Sequence, residues 1–266
     1  MKIKTLAIFG CGGLSNLVVD ALVKGLLPHY QLIGTMSRSL WKAEFLANKV
    51  NNSQEDYHCE AFDTTKQLLA LKPDYIVESA SPNAFKEFAI DALNNGSSII
   101  TLSIGALADE EFYKNVQQTA DENNVKVYIA SGAIGGLDVM RTATMMYDSK
   151  ATFTTQKGPR SLRGSAVYDP AIETEEKEVF RGSAEDAIAL LPHQVNVSVA
   201  ASLATVGPKE IDVSINSIPN FIGDRHTITI QNEEIDATIS IYSKTAAIAG
   251  WSVVNTLRNI TSPIVF

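Results

Sequence analysis

The chain has 266 residues, which suits one large or two medium domains, and 45% of them are hydrophobic, enough for a packed core and too many for a disordered chain. A formal charge of −8 argues against a general nucleic-acid-binding or anionic-membrane surface, and no apolar run approaches the ~20 residues that span a bilayer. Two cysteines, Cys11 and Cys59, cannot make a disulfide scaffold. Met1-Lys-Ile-Lys-Thr5 runs straight into a strand pattern with no signal peptide, so a reduced, cytoplasmic protein is expected.

Thr5–Phe9 is a short apolar run of the kind that forms a buried parallel strand. Gly10-Cys11-Gly12-Gly13-Leu14-Ser15 follows at once, and 14–27 has helical periodicity through Leu14, Leu17, Val18, Ala21 and Leu22. Strand, glycine turn and helix start form the context in which a dinucleotide pyrophosphate meets free helix N–H groups. Gly10 permits the tight turn and Gly12 the close approach, with Gly13 and Leu14 opening the helix. The third glycine position holds Ser15, a departure from the fingerprint. Tyr30–Met36 reads as the second strand and ends in Ser37-Arg38-Ser39, where NAD-preferring folds place an acid against the ribose 2′-hydroxyl. The missing carboxylate and the cation at Arg38 suit a 2′-phosphate, so NADP is expected ahead of NAD.

The alternation continues with a helix at 40–50, a weak strand at 57–62, a short helix at 65–71 and a strand at 74–78. Ser79-Ala80-Ser81-Pro82-Asn83 then leads into a helix at 84–93, with Ser81 or Asn83 as its cap. A strand at 97–102 runs into Ser103-Ile-Gly105-Ala106, followed by a helix at 108–123 and a sixth strand at 126–129. Six alternating strands make a doubly wound parallel sheet, whose ligands bind at the carboxyl ends of the strands. Gly10 to Gly12, Ser37-Arg38, Ser79 to Ser81, Ser103 to Ala106 and Ser131-Gly132 all fall at those ends.

Ala130-Ser131-Gly132-Ala133-Ile134-Gly135-Gly136-Leu137-Asp138 is the stretch around which the chain turns from one style to another. Three glycines in five positions let backbone approach a bound group, and Asp138 is placed to cap the helix at 139–147 and to complement its dipole. Beyond it, 151–156, 210–216, 226–231 and 235–241 read as strands. An exposed acidic stretch is expected at 173–178. Helices are expected at 184–190, ended by Pro192, at 196–206, and at 244–259, the last with a small face of Ala246, Ala247, Ala249 and Gly250. This grouping predicts an α+β second domain. His226, beside Gly223-Asp224-Arg225, is the histidine suited to proton transfer, although its residues alone favour a surface-loop histidine. His193 is a weaker candidate, and His29 and His58 fall in surface turns. No pair has metal-ligand spacing, so no metal is expected.

Taken together, these pieces resemble the L-aspartate dehydrogenase family over about residues 2–260. The resemblance is carried by Gly10-Cys-Gly12-Gly13, Val77-Glu78-Ser79-Ala80-Ser81-Pro82, the run from Leu102 to Asp109 and the run from Ser131 to Asp138. Thr154-Thr155-Gln156-Lys157, Phe180-Arg181-Gly182-Ser183-Ala184, Pro192 to Val197 and Arg225-His226 complete it. It implies a Rossmann domain at 1–130, an α+β substrate and dimerisation domain at 131–243, and a helix at 244–266 that returns to the first domain. It also implies a homodimer that oxidises L-aspartate to iminoaspartate with NAD(P), the imine hydrolysing to oxaloacetate and ammonia or passing on toward quinolinate in NAD synthesis. His226 falls on the family's catalytic histidine, which overturns the surface-loop reading. Two departures stand out. Gln194 lies where the family has an Asn, two residues before Asn196, and Tyr242-Ser243-Lys244-Thr245-Ala246, after a shortened loop, matches an Asn-Pro-Lys-Thr-Ser motif.

His226 is therefore expected to take the amine proton as hydride leaves Cα, and to activate the water that attacks the imine. Ser103 to Ala106 and Ser131-Gly132 would meet the nicotinamide, and Ser131, Gly132, Ala133 and Asn196 would line the amino-acid substrate. Lys157, Arg225 and Lys244 are the unranked cations for a dicarboxylate. Two other readings remain: a related dehydrogenase or imine reductase acting on another amino or keto acid, and a non-catalytic NAD(P)-binding regulator.

Overall fold

A computed structural model describes residues 3–53, 57–191 and 196–266. Pro192, His193 and Gln194 lie outside them, and with them the expected helix break. The chain divides into two compact units, residues 1–130 with 249–266, and residues 131–248.

The first unit is a six-stranded parallel sheet in the order β3-β2-β1-β4-β5-β6. Its strands are β1 (Lys4–Phe9), β2 (Tyr30–Met36), β3 (Glu60–Phe62), β4 (Tyr75–Glu78), β5 (Ser98–Thr101) and β6 (Val127–Ile129). Helices α1 (Gly13–Val23), α2 (Leu40–Asn51), α3 (Thr65–Ala70), α4 (Pro82–Asn94) and α5 (Glu110–Glu122) alternate with them, a Rossmann-like doubly wound arrangement. The middles of the central strands are apolar because helices flank a parallel sheet on both faces; Leu6, Ala7, Ile8, Ile76, Val77, Ile99 and Ile100 are fully buried. Ser81, not Asn83, caps α4 by accepting from the Ala84 N–H. A tight 3-10 turn at Ile104–Ala108 delays α5, which begins at Glu110.

The last helix, α9 (Ala247–Thr261), belongs mostly to this unit. Val253, Val254 and Leu257 join the core formed by Leu6, Ile8, Val18 and Val19. The small face is required by the packing: a Cβ on Gly250 would lie 2.7 Å from Leu17 Cδ1 and 3.1 Å from the Leu14 carbonyl oxygen. The Tyr30 hydroxyl donates to the Leu257 carbonyl at 2.8 Å.

The second unit is a five-stranded mixed sheet in the order β11-β10-β7-β9-β8. It comprises β7 (Lys150–Lys157), β8 (Lys177–Gly182), β9 (Asp212–Ser217), β10 (Asp224–Gln231) and β11 (Asp236–Ser243). Helices α6 (Leu137–Met146), α7 (Ala184–Leu190) and α8 (Asn196–Leu203) pack on β10, β9 and β7. Strand β8 begins in the last two residues of the acidic stretch at 173–178 and continues through Val179 and Phe180, where the sequence predicts no strand. It is an edge strand with a register shift between Glu178 and Phe180, and such strands tolerate the charge that hides them from a hydrophobicity pattern. Asp138 does not cap α6. Gly136, at φ +70°, occupies the N-cap against Ile239, and Asp138 sits in the first turn, where it still complements the dipole. Among the described residues, no helix is long and apolar enough to cross a membrane.

Candidate active site

In the first unit the candidate residues centre on the glycine turn between β1 and α1. Gly10 has φ +95°, and a Cβ there would lie 2.7 Å from the Ala80 nitrogen, so only glycine lets the two strand-end turns meet. Gly12 is the N-cap of α1 and provides no side-chain cap. A Cβ on Gly12 or Gly13 would meet nothing within 4 Å. The helix thus presents uncapped N–H groups to open space, the feature that receives a phosphate. Ser15 explains its own departure from the fingerprint. It is fully buried, donates to the Gly10 carbonyl and shares a 2.5 Å hydrogen bond with the Ser79 hydroxyl, which also reaches the Gly10 carbonyl at 3.1 Å. A small hydroxyl here ties the β1 and β4 turns together.

Other strand-end residues divide into those available to a ligand and those used by the fold. Arg38 is exposed and Ser37 half-buried at the end of β2. Leu14 is half-buried at the start of α1. Ser81 is the α4 cap, and Gly105 and Ala106 are buried within the 3-10 turn. Ser103 is 3% exposed, and both its N–H and its hydroxyl donate to Glu78.

Glu78 is the residue of this edge that sequence reasoning missed. Its fully buried carboxylate accepts from the Ala80 N–H (2.8 Å) and Ser103 hydroxyl (2.8 Å) on Oε1, and from the Thr101 hydroxyl (2.6 Å) and Ser103 N–H (3.3 Å) on Oε2. Burial pushes its carboxyl above the usual range, while the hydrogen bonds from Thr101, Ser103 and Ala80 pull the other way. The signal in the sequence was a carboxylate ending the apolar run Tyr75-Ile-Val-Glu78, where a buried parallel strand meets a serine turn.

In the second unit the candidate residues lie on the buried face of its sheet. Strand alternation puts Phe153, Thr155 and Lys157 of β7 on one face, with Val213, Ile215 and Ser217 of β9 and Ile228, His226 and Asp224 of β10 beside them. His226 is no surface residue: it is 3% exposed, sits inside β10 opposite Thr155, and stacks on Phe153 with ring centroids 5.6 Å apart. Burial pushes its imidazole down to about 4, with Asp224 opposing and Lys157 reinforcing the shift. Lys157 is 5% exposed and lies 3.8 Å from Asp224 Oδ1.

The three candidate cations are separated by the fold. Lys157 shares the His226 face. Arg225 is exposed, one residue from His226 and hence on the opposite face, and lies over the Tyr242 ring at 5.9 Å. Lys244 is exposed in the connection from β11 to α9. Ser131 and Ala133 are half-buried and Gly132 buried in the turn that opens this unit, where a Cβ on Gly132 would lie 3.3 Å from Val197 Cγ1 of α8; Asn196 begins α8 half-buried. His29 is half-buried and His58 exposed, both outside this face.

The depressed imidazole predicts an acid-labile fold. An unfolded histidine titrates near 6.5 and the folded one near 4, so the unfolded chain binds more protons between those values. The stability that neutral His226 contributes is complete above pH 6.5 and is lost as the pH falls through about 4, up to on the order of 3 kcal/mol. Urea unfolding at pH 7 and pH 4.5 should show this loss in the wild type and a smaller one in His226→Gln.

Comparison with known proteins agrees with this geometry. The family model for homoserine dehydrogenase, NAD binding domain, matches residues 10–130, and that for aspartate dehydrogenase, C-terminal, matches residues 138–260. The L-aspartate dehydrogenase of Methanococcus maripaludis is 31% identical over 97% of both chains. The crystal structure of aspartate dehydrogenase from Thermotoga maritima superposes with a TM-score of 0.76 at 26% identity, covering 100% of both chains. A hyperthermophilic archaeal homoserine dehydrogenase in complex with NADPH shares the fold, with a TM-score of 0.62 at 14% identity and all of both chains covered. Fold and glycine turn together define a dehydrogenase built on an NAD(P)-binding domain. Within that class, the chain belongs to the L-aspartate dehydrogenase family.

Proposed function

We propose that this protein oxidises L-aspartate to iminoaspartate, with NADP preferred to NAD, the imine then hydrolysing to oxaloacetate and ammonia or passing toward quinolinate in NAD synthesis. The observation that carries the reading is the pairing of a buried His226 with a buried Lys157 on one sheet face. A base for the amine and a cation for a carboxylate are what an acidic amino acid requires.

The residues fit a dinucleotide. Gly12 and Gly13 leave the space beside an uncapped helix that a pyrophosphate needs, and Gly10 and Leu14 shape the turn. Ser37 and Arg38 would hold the adenosine ribose and its 2′-phosphate. Ser79, Ala80, Ser81, Ser103, Gly105 and Ala106 would border the remainder, chiefly through backbone, because the serine hydroxyls are engaged within the fold. When bound, the nicotinamide supplies the hydride acceptor.

On the substrate side, neutral His226 accepts a proton from the substrate ammonium, leaving the nitrogen lone pair to form the C=N bond as hydride leaves Cα. Once that proton has passed to solvent, the neutral His226 imidazole takes a proton from the water that attacks the imine carbon. Lys157 meets a substrate carboxylate, and Ser131, Gly132, Ala133 and Asn196 are assigned to substrate positioning. We place the enzyme in the cytoplasm as a homodimer, on its family resemblance.

A second reading, a related dehydrogenase or imine reductase acting on a different amino or keto acid, is favoured by one observation. The segment Tyr242 to Ala246 departs from the family motif, and Lys244 within it is exposed. Steady-state oxidation of L-aspartate, D-aspartate, L-glutamate, L-alanine and L-homoserine with NADP⁺ and NAD⁺ separates the two. L-Aspartate should dominate, and turnover confined to another substrate would favour the second reading. In the same assay, Arg38→Ala should lower the NADP-to-NAD ratio of kcat/KM by roughly 10- to 100-fold, the worth of one charged hydrogen bond; an unchanged ratio removes Arg38 from cofactor choice.

A further inference from the structure

The buried face of the second sheet carries polar groups that neither the fold nor the proton handling of His226 uses. Among the described residues, three buried side-chain atoms lack a hydrogen-bond partner: Thr155 Oγ1, Ser217 Oγ and His226 Nδ1. All three lie on one face of the adjacent strands β9, β7 and β10. Buried hydroxyls are ordinarily bonded to something, so two orphans beside a buried lysine call for an explanation.

Strand pairing fixes the arrangement. One row across the face is Val213, Phe153 and Ile228, wholly apolar; the next is Ile215, Thr155 and His226; the next is Ser217, Lys157 and Asp224. Successive rows are about 7 Å apart along the strands. Thr155, Lys157 and Ser217 therefore converge on the β7–β9 side. His226 and Asp224 stand on β10, with Lys157 between Asp224 and Ser217. The Lys157 ammonium makes one 3.8 Å ion pair with Asp224 and no side-chain hydrogen bond among the described residues. The corner has surplus donors, and a negatively charged acceptor with more than one oxygen would satisfy them.

We propose that Thr155, Ser217 and Lys157 form a carboxylate-binding corner that holds the side-chain carboxylate of a dicarboxylic amino acid and so selects dicarboxylates over monocarboxylates. The assignment to that substrate class rests on the function proposed above. The one-row offset of Ser217 and Lys157 from His226 suits the farther of the two carboxylates, leaving the amine at the imidazole. Thr155 and Ser217 are specificity residues here, and the proton chemistry stays with His226.

The test uses the full chain with saturating NADP⁺ and two ligands that lack an amine, succinate and butyrate, titrated by calorimetry into wild type, Thr155→Val, Ser217→Ala and the double variant. Wild type should bind succinate at least about tenfold more tightly than butyrate. Each single variant should weaken succinate by roughly tenfold, the loss of one hydrogen bond to a charged group, and should leave butyrate unchanged. The thermal midpoints should stay level or rise, because the deleted hydroxyls have no partner in the fold. Succinate affinity unchanged in the double variant, or a wild type that does not distinguish the two ligands, overturns the proposal. Binding is read without turnover. Variant-sensitive succinate binding in a protein that does not oxidise aspartate would leave the corner standing and remove the proposed reaction, and the converse result would do the reverse.

Discussion

His226→Ala should lower kcat by roughly 10²- to 10⁴-fold, the usual worth of a positioned general base, while affinity for the dinucleotide is unchanged. The residue lies in the second unit, whereas the glycine turn belongs to the first, so cofactor affinity is the internal control. Phe153 fixes the ring by stacking, and burial keeps it neutral at physiological pH, with its lone pair free. Truncation to alanine also opens a hole in a packed face, at a cost of a few kcal/mol. His226→Gln fills most of that volume without a usable base, and it should be nearly as inactive but more stable than the alanine variant. Turnover retained in the glutamine variant would remove His226 from the proton transfer, whatever the alanine variant did.

Glu78→Leu should destabilise the first unit by about 3–5 kcal/mol, because deleting a buried carboxyl group strands the several donors built around it. Four donors converge on that carboxylate, two of them backbone N–H groups of Ala80 and Ser103 that have no rotamer with which to adapt. Glu78→Gln is the informative companion. With its amide oxygen at the Oε1 position it keeps Ala80 N–H and the Ser103 hydroxyl, and its NH₂ can donate to a reoriented Thr101 hydroxyl. The long Ser103 N–H contact is lost, although that group also bonds Thr101 Oγ1 at 3.0 Å, and the Thr101 proton loses Oε2 as its acceptor. The glutamine variant should therefore lose about 1–2 kcal/mol. Denaturant midpoints for the three proteins decide the matter, and equal stability of the leucine variant and the wild type would contradict this account of the edge.

Much of the first unit was legible because apolar runs alternating with amphipathic helices leave few other folds. Even Ser15, an exception to the glycine fingerprint, is a substitution that the context explains. The second unit was harder. Its edge strand β8 is charged, and a register shift interrupts it, so the adjacent Val179 and Phe180 gave no period-2 signal. His226 was misread by its residues alone: Asp224 and Arg225 made its surroundings look solvated, whereas period-2 alternation sends Arg225 outward and His226 into the core. Thr155 and Ser217 were missed for a related reason. Each follows apolar residues in the same phase of its own strand, Phe153 before Thr155 and Val213 and Ile215 before Ser217, and a hydroxyl in that phase reads as packing until its lack of a partner is visible. Glu78 required the neighbouring strand, since Thr101 and Ser103 come from 23 and 25 residues away.

The most direct test of the central claim follows the hydrogen. L-Aspartate deuterated at Cα should be oxidised with a primary isotope effect on kcat/KM under conditions where chemistry limits the rate. The reduced cofactor should carry the deuterium, with one ammonia and one oxaloacetate released per cofactor reduced once the imine has hydrolysed. Reduced cofactor free of deuterium, or no reduction from L-aspartate while dinucleotide binding is intact, would contradict the assignment.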